Sequence, residues 1–164
     1  MKTKFIILLF LSISLFSTAQ NRNKTINETI DMLNKMEGVS YFEVTKDMFR
    51  MLSESPNINA QLKDYMSKLQ QLKMIQASGE HQQEISKALF LKFMENTNLK
   101  EYSLLVTKKE SNSRLSFYKK EAKSENEFLL VSTEMIIYIT GTIDLKSIGE
   151  FQQVMEIAGS AFDM

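Results

Sequence analysis

At Glu101 the spacing of apolar residues changes from the helical period of about 3.6 to the strand period of two, and no other feature limits the possible fold as much. Beyond that point Tyr102, Leu104 and Val106 alternate with more polar neighbours. Leu115 and Phe117 do the same after the turn signal Ser111-Asn112-Ser113. Phe128–Val131 and Met135–Ile139 are denser apolar runs, the pattern of interior strands. Four strands at hairpin spacing predict an antiparallel meander.

Before Glu101 the pattern is mostly helical. Thr25-Ile26-Asn27-Glu28 has the spacing of a capping box, and Ile26, Ile30 and Leu33 follow on one face, predicting a helix over 25–36. Glu37-Gly38 breaks it. Val39–Val44 is rich in β-formers and predicts a first strand, after which Thr45 caps a short helix to about Leu52. Ser55-Pro56 opens a helix to about Ser67, with Ile58, Leu62, Tyr65, Met66 and Leu69 keeping one face apolar. Leu72–Ile75 reads as a second strand, although a continued helix fits almost as well. Ser78-Gly79 leads into a helix over 80–95 whose stripe is Ile85, Ala88, Leu89 and Phe93. Asp144 caps a last helix carrying Leu145, Ile148, Phe151, Met155 and Ala158. The expected class is α+β: one mostly antiparallel sheet that includes a C-terminal four-strand meander, with helices packed on one face.

The N-terminus reads as an address. Lys2 and Lys4 precede the apolar run Phe5–Phe16, which ends in Ser17-Thr18-Ala19. A basic start, a short apolar stretch and small residues before a cut describe a secretory signal peptide. The run falls short of the roughly 20 apolar residues that cross a bilayer. Residues 1–19 are therefore expected to be removed near Ala19-Gln20. Residues 20–164 then form a single domain, periplasmic or secreted, with no transmembrane segment in the mature chain.

Composition narrows the chemistry. The 164 residues contain no cysteine, which excludes thiol catalysis, cysteine-ligated metals and a lipid-anchor cysteine. The 20 basic residues balance the 20 acidic ones, and removal of the leader takes two lysines, so nothing favours nucleic acid as a partner. One proline and five glycines leave no room for a flexible linker. Eleven Met and eleven Phe, without Trp, predict a core of Leu, Ile, Phe and adaptable Met.

No catalytic constellation, metal set or cofactor motif emerges. His81, the single histidine, stands one helical turn from Glu84, but two ligands fall short of a zinc site. Glu43 with Asp47, and Glu127 with Glu134, are carboxylate pairs that would serve a hydrolase only if they faced one cleft. Asp47 and Asp144 are more simply explained as helix-start residues. Lys108, Lys109, Arg114, Lys119, Lys120 and Lys123 crowd the central hairpin. They form a possible interaction surface for an acidic envelope protein or an anionic surface. The plainer reading is that lysines keep a sheet edge soluble.

Gly38-Val39-Ser40-Tyr41 running into Val44-Thr45-Lys46-Asp47-Met48-Phe49, then Tyr102–Val106, then Ile139-Thr140-Gly141-Thr142-Ile143-Asp144-Leu145 with Ile148, occur in this order behind the leader. In this the chain resembles the domain of unknown function 4252 family of Bacteroidetes, over nearly all of its mature length. The resemblance implies a small exported protein, often encoded near extracytoplasmic-type sigma factors, and it assigns no catalytic residue. Many members carry a lipobox cysteine that this chain lacks, which favours a soluble form. The expected function is a non-enzymatic envelope binding or regulatory module. The rival expectations are a carboxylate-dependent hydrolase and a carrier of an apolar ligand.

Overall fold

Thr25 opens the first helix by a reciprocal pair of bonds. Its hydroxyl accepts from the Glu28 amide at 3.2 Å, and the Glu28 carboxylate accepts from the Thr25 amide at 2.9 Å. This is the capping box expected from the sequence. The computed structural model describes residues 24–144 except 57, 59 and 110–112. Helix α1, Ile26–Leu33, buries Ile26, Ile30 and Leu33.

Gly38 then turns the chain with a φ of 74°, a region that favours glycine. Strand β1, Val39–Thr45, passes directly into helix α2, Lys46–Ser53. Thr45 occupies the cap position as expected, but its hydroxyl makes no capping bond. Helix α3, Ala60–Lys68, starts later than the Ser55-Pro56 signal and runs straight into strand β2, Leu69–Ala77. Helix α4, Gln82–Asn96, is followed by β3, Ser103–Lys109, β4, Arg114–Lys120, β5, Asn126–Ser132, and β6, Met135–Gly141.

The six strands form one open antiparallel sheet in the order β1-β2-β6-β5-β4-β3. The expected meander is its β3-to-β6 half. Strand β6 docks on β2, joining the meander to the β1–β2 pair. Gly141 permits this junction: a Cβ there would meet the Lys68 carbonyl oxygen at 2.4 Å.

The α+β class and the antiparallel sheet are as expected, but the helices are divided between the two faces instead of gathered on one. Val44, Leu72, Ile139, Phe128 and Phe117 share a core with Phe49 of α2 and Met66 of α3. Ile75, Ile136, Tyr138, Leu129 and Val131 share the other with Ile26, Ile30 and Leu33 of α1 and Leu89 and Phe93 of α4. Adjacent residues of a strand point to opposite faces, so buried runs such as Phe128–Val131 and Ile136–Ile139 require cover on both sides. Each fully buried Phe, Leu or Ile contributes about 1.5–3 kcal/mol, so leaving either face bare would forfeit much of the stability. The helix expected after Asp144 lies outside the described residues. Among those described, no helix is long and apolar enough to cross a membrane.

Candidate functional site

On the face covered by α1 and α4, Glu127 of β5 stands directly across from Lys120 of β4. The Lys120 ammonium lies 3.4 Å from Glu127 Oε1 and 2.8 Å from Glu101 Oε2. Two phenols converge on the other Glu127 oxygen. Tyr138 of β6 donates to Oε2 at 2.8 Å, and Tyr102, just ahead of β3, donates to the same atom. The ammonium also lies 5.6 Å from the centre of the Tyr102 ring, within the range of a cation–π contact.

These groups line a cleft of about 440 Å³. Lys24, Thr25, Ile26 and Asn27 close it at the start of α1, and Asn98 contributes from the connection between α4 and β3. Asn27 lines the cleft, and its side-chain oxygen is buried without a hydrogen-bond partner.

Charge in the cleft is held tightly. Burial by itself would push the Glu127 carboxyl up, but the Tyr102 and Tyr138 hydroxyls and the Lys120 ammonium outweigh it and hold the group below its ordinary range. Burial and then the bond to Glu127 push both phenols well above theirs. Lys120 is raised, chiefly by its bond to Glu101. The result is an ionised carboxylate, two neutral phenols and a charged amine, all fixed by each other.

The six basic residues of the central hairpin are not brought to one surface. Lys119 and Lys120 are consecutive in β4 and point to opposite faces. Lys119 is bound by Asp144 at 2.6 Å and Glu121 at 2.7 Å, while Lys120 belongs to the cleft. Lys108 and Lys109 end the exposed strand β3, Arg114 starts β4, and Lys123 lies in the exposed β4–β5 connection.

The four carboxylates weighed from the sequence are also separated. Glu43 accepts from Tyr41 at 2.6 Å and Gln71 at 2.7 Å. Asp47 pairs with Arg50 on the exposed side of α2, and Glu134 sits in the exposed β5–β6 turn. His81 and Glu84 are exposed at the start of α4, and no group of three or more His, Cys, Asp or Glu among the described residues could hold a metal ion.

Sequence reasoning singled out Glu127 and Lys120 but missed Glu101, Tyr102, Tyr138 and the start of α1. One signal was available: Tyr138 places a hydroxyl inside the apolar run Ile136–Ile139, and a buried phenol needs a partner.

Fold and cleft together define an α+β protein in which, among the described residues, one antiparallel sheet lies between two helix pairs, with a polar cleft at the edge of one pair. The family described as Domain of unknown function (DUF4252) matches residues 13–151, and the chain belongs to that family. No curated protein and no solved structure matches it.

Proposed function

We propose that this protein is a non-enzymatic binding or regulatory module of the bacterial envelope, exported with loss of residues 1–19, and that its ligand enters the cleft at the start of α1. The observation that carries this reading is the engagement of both Glu127 oxygens, Oε2 by the Tyr102 and Tyr138 hydroxyls and Oε1 by the Lys120 ammonium. A carboxylate held below its ordinary range by two phenols and an ammonium has no proton to give at neutral pH, and its oxygens are already engaged. A general acid needs the opposite shift. The hydrolase reading required a carboxylate raised in a pocket, and the apolar-carrier reading required an apolar cavity, whereas this cleft is lined mainly by charged and polar side chains.

The nature of the ligand follows from the lining. Lys24 and Lys120 offset Glu101 and Glu127, so net charge selects little. Asn27 and Asn98 offer amide groups. A neutral, hydroxyl-rich molecule such as a saccharide suits this set. The lysine-bearing hairpin is the weaker candidate surface, because Lys119 and Lys120 are already neutralised by carboxylates.

Titration of the isotope-labelled protein with a panel of neutral envelope saccharides tests the cleft. Chemical-shift changes are expected at Asn27, Tyr102, Glu127 and Tyr138, and the affinity is expected to fall at least tenfold in Asn27→Leu. Shifts scattered elsewhere, or none with any saccharide, would overturn this reading. Cell fractionation tests the address: material in the cytosol that still begins at Met1 would overturn export.

A further inference from the structure

We infer that the cleft is one end of a longer site across the α1 face of the sheet, and that this site takes a linear, neutral saccharide of several units. The inference rests on the saccharide reading of the cleft and adds the length of the ligand. The polar set of the cleft recurs on the same face. Glu43 of β1 stands directly across from Lys73 of β2, as Glu127 stands across from Lys120. A phenol serves each carboxylate: Tyr41 donates to Glu43 Oε2 at 2.6 Å, and Tyr138 donates to Glu127 Oε2 at 2.8 Å. An acid from outside the strand pair pins each lysine, Asp31 for Lys73 at 2.6 Å and Glu101 for Lys120 at 2.8 Å. Burial, and then the bond to Glu43, raises the Tyr41 phenol above its ordinary range, so it too stays a neutral donor.

Two residues join the sets. Thr140 of β6 is registered against Glu127 on one side and Gln71 of β2 on the other. Gln71 lies next to the bulge in β2, and its amide reaches Glu43 Oε1 at 2.7 Å, which fixes its side chain on this face. Tyr41, Glu43, Gln71 and Thr140 are all half-buried, so each keeps some surface in contact with solvent. Asn27 and Asp31, one turn apart on α1, border the two sets in turn. The strand order puts Glu43 three strands from Glu127, roughly 14 Å at ordinary strand spacing. One sugar ring cannot span that distance, whereas a chain of repeating units meets a repeated set of donors and acceptors. Each set holds both signs of charge, so a polyanion or a polycation would meet its own sign twice. The row crosses interior strands whose backbone groups are paired within the sheet, so an extended peptide finds no edge there to join.

Titration of the isotope-labelled protein with uncharged linear oligomers of glucose and of N-acetylglucosamine, from monosaccharide to hexasaccharide, tests the inference. The longer oligomers are expected to shift Tyr41, Gln71 and Thr140 together with Tyr102 and Tyr138 in one saturable event. Affinity is expected to rise at least tenfold from monosaccharide to hexasaccharide, beyond the statistical gain of repeating a unit. Thr140→Val and Gln71→Leu are each expected to remove most of that gain, and the use of two variants keeps the test decisive if one folds poorly. Cleft shifts without shifts at Tyr41, Gln71 and Thr140, or without the gain in affinity, overturn the extension and leave the cleft reading intact. A gain that both variants retain overturns it in the same way. Binding by no saccharide overturns both.

Discussion

Glu127 and Lys73 are both charged groups on the face of the sheet beneath α1, and their surroundings give them different consequences. Glu127 is tied to three donors and titrates below its ordinary value of 4.5. A carboxyl lowered on folding stabilises the native state fully above its unfolded value, and that contribution is lost as the pH falls through the folded value. Stability should therefore rise with pH in the window just below 4.5. Glu127→Gln should flatten that rise in urea melts taken between pH 3 and 6. An unchanged slope would show that Tyr102, Tyr138 and Lys120 do not hold the carboxylate as described. Lys73 is only 4% exposed, and its ammonium donates to Asp31 at 2.6 Å. Removing Asp31 takes this partner from a buried cation, whereas removing the cation leaves a half-exposed carboxylate that water can solvate. Asp31→Ala should cost about 1–3 kcal/mol, less than for a fully buried pair because Asp31 is half exposed, and Lys73→Met should cost under about 1 kcal/mol. Equal losses in the two variants would contradict that asymmetry.

Between elements, the junctions are set by single backbone requirements. Strand β6 can lie against the α3–β2 junction only because residue 141 has no side chain: a Cβ would stand 2.4 Å from the Lys68 carbonyl oxygen and 3.1 Å from the Leu69 Cα. Both obstacles are backbone, so neither can swing aside. Gly141→Ala should cost about 2–3 kcal/mol in chemical denaturation, the scale of an overpacked core, and a neutral result would mean that the junction is looser than its geometry. Thr25→Ala, which removes the α1 cap, should cost about 1 kcal/mol.

These examples mark what could be read from the chain without a structure. The capping box and the β3-to-β6 meander were legible because their signals are local: a hydroxyl three residues from a carboxylate, and a period of two between turn residues. The length of β2 was not, since α3 enters it without a breaker and Leu72–Ile75 fits either period. The division of helices between faces follows from the unbroken run Phe128–Val131, but such a run does not say which helix covers which side. The cleft was least legible, because Asn27, Tyr102, Glu127 and Tyr138 meet only through strand register and the return of α1 over the sheet.

For the molecule as a whole, the sheet acts as a wall between two cores that, among the described residues, have no side chains in common. Phe49 of α2 and Phe93 of α4 are both fully buried, on opposite sides of that wall. Packed layers stand about 10 Å apart, so the two rings lie beyond the range at which substitutions usually couple. Phe49→Leu and Phe93→Leu should each cost about 1–2 kcal/mol, and the double variant should equal their sum within about 0.5 kcal/mol. Independence of side chains does not make the two halves independent in folding. The strands β2, β5 and β6 each contribute residues to both cores, so losing one core strips cover from strands that the other needs. All three variants should therefore still unfold in a single transition with coincident fluorescence and circular dichroism curves. Two transitions in either single variant would show that each helix pair and its face of the sheet unfold separately. A coupling above about 1 kcal/mol would show instead that the wall transmits packing strain from one side to the other.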